Sequence, residues 1–277
     1  MMTGAPTQWR LLRTFPAQGA WNMAVDEAIL ESASKGEAPP TLRLYAWSPP
    51  CLSLGYAQPA NDVNLEILKS FGWEVVRRPT GGRAILHTDE LTYSISGKNL
   101  EPQLLGSVLE SYQRLSLGLL EALHLLGIEA DTPRLSPNST QKSNFNPVCF
   151  EVPSNYEITY EGKKLIGSAQ ARRKSGVLQH GSLPLNGDLT RILDVLNFSG
   201  SQTRDSARKN LLDHATTLER AVGYKGDWWI ASYAFEAAFK NMLNMDLQKM
   251  DLTPKEGRRA FELYNQKYNH QDWTLKR

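Results

Sequence analysis

The sequence predicts an α/β fold of the α+β kind, with a mixed β-sheet domain over residues 1–188 and a helical extension packed on it over residues 189–277. Between about residues 40 and 185, short segments of alternating apolar and polar residues are interleaved with helical patterns. Beyond residue 185 the patterns become predominantly helical. The first observation predicts the sheet, and the second predicts the extension.

The helices are predicted from apolar residues at helical spacing and from capping signals. In the first helix, over residues 21–34, Trp21, Val25, Ala28 and Ile29 recur at positions i, i+4, i+7 and i+8, which lines one face. The remaining helices are expected over residues 64–71, 104–127, 190–198, 215–222 and 228–243, and from a capping box at Thr253 to about Tyr268.

The strands are predicted from period-two alternation and from turn signals. Three of them are expected over residues 42–47, 73–78 and 92–96. The Glu161-Gly162 pair predicts a hairpin turn. If its loop has two residues, Lys164 lies opposite Thr159 and on the same face as Ile166.

Composition restricts the class of protein. The chain has 277 residues, of which 41% are hydrophobic and 22% charged, values that are ordinary for a soluble globular protein. A net charge of +2 is too small to indicate a nucleic-acid partner. No signal peptide or apolar run of about 20 residues is evident, so we expect a cytoplasmic protein without a membrane partner. A monomer is the default expectation.

The two cysteines do not form a secreted disulfide framework. Cys51 opens a short apolar segment and is expected in the core. Cys149 follows a polar segment over residues 135–147, which is expected to be a loop, and precedes a segment that contains Lys164. A lone cysteine is usually a small buried hydrophobe, but an ammonium group brought beside a thiol favours the thiolate, which is the nucleophile.

Several motifs carry a resemblance to a known family. They are residues 77–87 (RRPTGGRAILH), 167–170 (GSAQ) and 180–182 (HGS), extended by residues 22–27 (NMAVDE) and 52–58 (LSLGYAQ). In this order they resemble the lipoate/biotin protein ligase and lipoyl-group transferase superfamily, over roughly residues 9–185. Within it, residues 147–150 (PVCF) and 162–170 (GKKLIGSAQ) are similar to the cysteine-dependent octanoyltransferase branch.

This resemblance implies a catalytic domain of the biotin/lipoate protein ligase type and an acyltransferase activity. The donor would be octanoyl-acyl carrier protein, and the acceptor a lysine of a lipoyl domain such as the glycine cleavage H protein. Cys149 would carry the octanoyl group as a thioester, and Lys164 would favour the thiolate and relay protons, with Lys163 as the register-shifted alternative. ATP would not be required, because a thioester is already activated.

The glycine-rich turn is a candidate substrate-binding element. Thr80, Gly81 and Gly82 would let the backbone approach the acyl chain or a phosphate-bearing group closely. Arg78 and Arg83 would orient a carboxylate, the pantetheine phosphate or an acidic carrier. Double glycines are also common in tight connections between strands, so a structural explanation stays open.

A second candidate element lies on two later segments. Gly167, Ser168 and Ala169 would combine small side chains for passage of the acyl chain with backbone N–H groups that stabilise an oxyanion. His180 and Gly181 fit the wall of the same pocket, although a histidine in a strand is more often structural.

His87 either positions substrate or satisfies the hydrogen bonds of its loop. The sequence shows no spacing of metal ligands and no dinucleotide fingerprint, so we expect no metal and no cofactor.

Three alternatives stay open at this point. An ATP-dependent lipoate ligase would use Lys164 to contact an acyl-adenylate and leave Cys149 incidental. An octanoyl amidotransferase that works between lipoyl domains would also use a cysteine. A non-catalytic binding protein would keep the groove and dispense with the thiol.

Overall fold

Two β-sheets organise the part of the chain that the structure describes. The computed structural model describes residues 5–132, 157–198 and 200–276. Its strands are β1 Thr7–Arg13, β2 Thr41–Tyr45, β3 Cys51–Leu54, β4 Glu74–Arg77, β5 Ile85–His87, β6 Glu90–Lys98, β7 Glu157–Tyr160, β8 Lys163–Arg172, β9 Gly176–Pro184 and β10 Met245–Lys249. Its α-helices are α1 Gly19–Lys35, α2 Leu65–Ser70, α3 Val108–Leu125, α4 Ser201–His214, α5 Leu218–Val222, α6 Trp228–Leu243, α7 Pro254–Leu263 and α8 Gln271–Thr274.

The larger sheet has seven strands in the order β10-β1-β2-β6-β9-β8-β7, and the smaller has three in the order β4-β3-β5. In the larger sheet β10, β1 and β2 run parallel, whereas the pairs from β2 to β7 are antiparallel. The predicted mixed sheet is therefore confirmed.

Helix α1 is joined to the larger sheet by a buried polar cluster. Asp26 accepts hydrogen bonds from Arg43 Nη1, Tyr45 Oη and Ser94 Oγ, each at 2.8 Å. Burial alone would raise the pKa of Asp26, but the Arg43 guanidinium and His180 hold it below its usual range. The ionised carboxylate thus ties the helix to strands β2 and β6.

Helices α3 and α6 pack against each other and against the larger sheet. Leu115, Leu119, Phe235 and Phe239 are fully buried between them. Helix α3 begins later than predicted, because the Ser107 hydroxyl caps it by accepting from the Glu110 N–H.

Three C-terminal elements differ from the sequence prediction. Helix α4 was not predicted, because its residues are mostly polar and Leu211 is its one buried residue. Strand β10 was not predicted either, because its five residues carry too short an alternation. The segment predicted as a helix over residues 190–198 is a 3₁₀ helix over Leu189–Val195. The division at residue 188 stays a prediction.

The hairpin of β7 and β8 forms as predicted. Glu161 and Gly162 have φ values of 49° and 75°, which suits a two-residue turn of the primed type. Lys164 pairs with Thr159, as expected.

The predicted common face of Lys164 and Ile166 is wrong. Ile166 pairs with Ile158 and Lys164 pairs with Thr159, so a β-bulge interrupts the ladder between these pairs. Ile158 and Thr159 are consecutive in their strand and so face opposite sides of the sheet. Their partners, Ile166 and Lys164, therefore face opposite sides as well. The bulge instead places Lys164 on the same face as Gly167, three residues later.

In the described part of the chain, no helix combines the length and the apolar character needed to cross a membrane.

Candidate active site

A cavity of about 230 Å³ lies where the glycine-rich turn meets strands β6, β8 and β9. Most of the described residues that the sequence predicted as site residues line it: Arg78, Gly82, Arg83, His87, Lys164, Gly167, Ser168, Ala169, His180 and Gly181. Thr80 and Gly81 are absent from the wall. The structure therefore brings three separate sequence motifs to one cavity.

Lys164 places its amine in the cavity wall. Its side chain is 4% exposed, and its Nζ lies 2.5 Å from Oε1 of Glu157, which is equally buried. Lys163 lies outside the wall, because its Nζ donates to the Leu212 carbonyl at 3.0 Å, next to α4. The structure thus distinguishes the two neighbouring lysines.

Gly167 leaves room for the Lys164 side chain. A Cβ atom at position 167 would lie 2.7 Å from Lys164 Cε and 3.2 Å from its Nζ. At Gly181, a Cβ would lie 2.6 Å from the Gly167 carbonyl oxygen, so this position requires glycine for close packing against backbone. At Gly167, by contrast, an added Cβ would meet the flexible end of the Lys164 side chain.

Ser168 is held by a polar network behind the wall. Its Oγ lies 2.6 Å from Tyr93 Oη, which also accepts from Gln179 Nε2 at 3.0 Å. Burial raises the pKa of Tyr93 to about 12, against the opposing hydrogen bonds, so its hydroxyl is protonated at neutral pH. Ala169 pairs with His180 in the neighbouring strand, which fixes the two walls relative to each other.

Arg78 stabilises the glycine-rich turn. Its Nη2 donates to the carbonyls of Gly81 and Arg83 at 2.8 and 2.7 Å, and its Nη1 donates to the Ser53 carbonyl at 2.9 Å. These bonds fold the turn around the guanidinium. The predicted role of Arg78 and Arg83 in anion binding stays a prediction.

Gly82 makes the turn possible. Its φ of +95° suits glycine, and its carbonyl oxygen lies so close to Gly55 that a Cβ there would be 1.9 Å away. Gly81 has open space around its Cα. The positive φ thus explains the glycine at position 82 and the close approach explains Gly55, whereas the predicted role of Gly81 and Gly82 in substrate binding stays a prediction.

His180 links the turn to the buried cluster under α1. Its Nε2 lies 2.6 Å from Thr80 Oγ1, and its Nδ1 lies 3.7 Å from Asp26 Oδ2. Burial lowers the pKa of His180 even though Asp26 opposes the shift, so the ring is neutral at pH 7. Thr80 thus supports the turn from behind the cavity wall.

His87 is held in the cavity wall by two polar contacts and by ring stacking. Its Nε2 lies 2.7 Å from Ser53 Oγ and its Nδ1 lies 2.7 Å from Glu90 Oε1. The ring stacks on Trp47 with centroids 3.9 Å apart and an angle of 8° between planes. These contacts favour the second of the two predicted roles, in which His87 satisfies its surroundings.

A model of the lipoyl protein ligase A/B catalytic domain matches residues 18–240. The chain belongs to this family. Its cavity, glycine-rich turn and Lys164 all fall within the matched residues. The chain is therefore an enzyme with a catalytic domain of the biotin/lipoate protein ligase type, as the resemblance implied.

Similar proteins cover nearly the whole chain. A protein of Kyrpidia tusciae named octanoyltransferase LipM is 41% identical over 272 residues, which cover 97% of this chain and 99% of that protein. A protein of the same name from Oceanobacillus iheyensis is 37% identical over 263 residues, covering 95% of each chain.

The fold of the family is also found in a solved structure. A bipartite lipoate protein ligase from Thermoplasma acidophilum, described with its E2 lipoyl domain, superposes with a TM-score of 0.81 at 24% identity. The superposition covers 98% of this chain and 97% of that chain. The predicted fold class is thus confirmed.

Sequence reasoning missed several residues of the cavity wall. They are Met23, Tyr45, Trp47, Ser53, Ile85, Thr92, Glu157 and Ser182. Met23 and Ser53 lie in segments that carried the resemblance, so their position in those motifs was an available signal. Glu157 could be found only from the pairing of β7 with β8, because its place opposite Gly167 depends on the bulge.

Cys149, the predicted nucleophile, lies outside the described residues. The described chain resumes at Glu157, eight positions later, and Glu157 lines the cavity.

Proposed function

We propose that this chain transfers an octanoyl group from octanoyl-acyl carrier protein to a lysine of a lipoyl domain, such as the glycine cleavage H protein. Cys149 carries the group as a thioester, and Lys164 is its catalytic partner. The names of the relatives support octanoyl transfer as the reaction class. The observation that carries the proposal is the buried Lys164 amine in the cavity wall.

In the first half-reaction, the Cys149 thiolate attacks the thioester carbonyl carbon of the donor. The tetrahedral intermediate collapses as the bond from carbon to the carrier sulfur breaks, and the carrier thiolate leaves. The Lys164 ammonium gives that sulfur a proton and becomes an amine. Backbone N–H groups at Gly167, Ser168 and Ala169 are the proposed stabilisers of the oxyanion.

In the second half-reaction, the neutral amine of the acceptor lysine attacks the Cys149 thioester. An amide bond forms, the bond from carbon to Sγ breaks, and the Cys149 thiolate is restored. The proton lost by the attacking nitrogen passes to the Lys164 amine, which returns to the ammonium form. Each cycle therefore moves one proton through Lys164 and consumes no ATP.

The experiment compares three donors with one apo lipoyl domain, whose mass is then measured. The donors are octanoyl-acyl carrier protein without ATP, free octanoate with ATP, and a second lipoyl domain that already carries octanoyl. We expect octanoylation with the first donor. Modification only with octanoate and ATP would indicate a ligase, and modification only from the second lipoyl domain would indicate an amidotransferase.

A further inference from the structure

Glu157 and Lys164 form a buried pair of opposite charges in the wall of the cavity. The two side chains are each 4% exposed, and Oε1 and Nζ are 2.5 Å apart. Removing two charges from water costs several kcal/mol per ion, so an apolar pair in their place is often as stable or more stable. A buried ionic pair that lines a cavity is therefore better explained by chemistry than by stability.

The β-bulge in the hairpin of β7 and β8 brings this pair together. Glu157 pairs with Gly167 across the hairpin, and Lys164 pairs with Thr159. Because the bulge shifts the register by one residue, both charged side chains face the cavity. In an uninterrupted ladder, Lys164 and Gly167 would face opposite sides of the sheet.

We propose that Glu157 is a positioning residue for acyl transfer, whose carboxylate holds the Lys164 ammonium group in the cavity above Gly167. This inference rests on the proposed function of Lys164. It assigns to β7 a residue that acts through Lys164 and does not itself exchange protons with the substrates.

A carboxylate is suited to this role for two physical reasons. A free lysine side chain carries about 2 kcal/mol of rotamer entropy, which a fixed partner removes before the substrate binds. A negative charge within hydrogen-bond distance also favours the ammonium form, which the first half-reaction needs in order to protonate the departing thiolate. Gly167 guides the aliphatic stem of the lysine, and Glu157 fixes its end.

The test uses Glu157→Gln, which removes the charge, and Glu157→Asp, which keeps it. Lys164 is labelled with a limiting amount of acetic anhydride at pH 8, and the labelled peptide is quantified by mass spectrometry. Glu157→Gln should label at least about tenfold faster, because the variant lacks the carboxylate that favours the unreactive ammonium form over the reactive amine. Glu157→Asp should label at nearly the rate of the unchanged protein.

Transfer kinetics supply a second measurement. In Glu157→Gln we expect kcat to fall on the order of 10²-fold, the typical effect of misplacing a catalytic group, while KM for octanoyl-acyl carrier protein stays constant. Glu157→Asp should recover at least about a tenth of the original kcat. Circular dichroism confirms that each variant is folded.

The Glu37–Lys255 pair is a matched control, because Lys255 Nζ and Glu37 Oε1 are 2.7 Å apart but lie on the surface. Glu37→Gln removes the same charge and should change neither Lys164 labelling nor kcat.

The proposal is overturned if Lys164 labels equally fast in Glu157→Gln and in the unchanged protein. It is also overturned if Glu157→Asp loses as much kcat as Glu157→Gln. Labelling requires no transferase activity, so it judges Glu157 separately from the proposed function. If the unchanged protein fails to use octanoyl-acyl carrier protein while Glu157→Gln still labels faster, the proposed function fails and the pairing stands.

Discussion

Substituting Gly167 by alanine should displace Lys164 without unfolding the protein. The added Cβ would lie 2.7 Å from Lys164 Cε, whereas carbon atoms in ordinary contact are about 3.5 Å apart or more. The atoms that it meets are the flexible end of the lysine side chain. The lysine must therefore move by roughly 0.8 Å, and a displacement of about 1 Å can cost on the order of 10²-fold in rate.

The assay measures kcat/KM for octanoyl transfer from octanoyl-acyl carrier protein, alongside urea unfolding. For Gly167→Ala we expect a loss on the order of 10²-fold in kcat/KM, with the free energy of unfolding changed by less than about 1 kcal/mol. Gly257→Ala is the control, since nothing lies near its added Cβ in helix α7. It should stabilise the protein by about 0.5–1 kcal/mol and leave the rate unchanged.

Unchanged kcat/KM in Gly167→Ala would refute the reasoning, because the position of the Lys164 amine would then not matter for transfer. A loss of more than about 3 kcal/mol in the free energy of unfolding would refute it differently. In that case Gly167 would be needed for packing of the sheet and not for the path of Lys164.

Three further predictions concern other sites. Lys164→Ala should abolish octanoyl transfer in the same assay, whereas Lys163→Ala should retain it, because only Lys164 lines the cavity. Burial alone would raise the pKa of Glu256, but the Arg10 guanidinium, whose Nη2 lies 2.6 Å from Glu256 Oε1, holds that pKa below 4.5. The stability that this pair contributes is therefore present above pH 4.5 and is lost as the pH falls. Glu256→Gln should cost about 3–5 kcal/mol in urea unfolding at pH 7 and weaken the loss of stability below pH 4.5. Iodoacetamide should leave Cys51 unmodified in the native protein, as shown by peptide mass spectrometry, because burial raises the pKa of its thiol.

The elements that the sequence predicted well have strong local signals. The turn at Glu161 and Gly162 was predicted from the glycine, which adopts positive φ readily, and helix α7 from the capping box at Thr253. The register of Lys164 opposite Thr159 followed from the length of the turn.

What the sequence could not predict depends on contacts between distant segments. The bulge in β8 has no glycine or proline to mark it, so regular alternation wrongly predicted a common face for Lys164 and Ile166. Strand β10 forms because its backbone pairs with β1, more than 200 residues earlier. Local propensity carries little information about such a pairing.

In the candidate site, too, the residues of local motifs were predicted, whereas their partners from distant segments were not. The glycine-rich turn and the lysine were identified because their motifs resemble those of the family. The partners of the motif residues, such as Glu157 for Lys164 and Trp47 for His87, became visible only through the pairing and packing of separate elements. Of the two predicted catalytic residues, Lys164 lies in the cavity wall and Cys149 lies outside the described residues.

The most direct test of the proposed mechanism is the intact mass of the enzyme after mixing with octanoyl-acyl carrier protein in the absence of ATP. The unchanged protein should gain one octanoyl group, located on Cys149 by peptide mapping and lost when an apo lipoyl domain is added. Cys149→Ala should gain none. Octanoyl transfer to the lipoyl domain by Cys149→Ala at the rate of the unchanged protein would contradict the thioester mechanism.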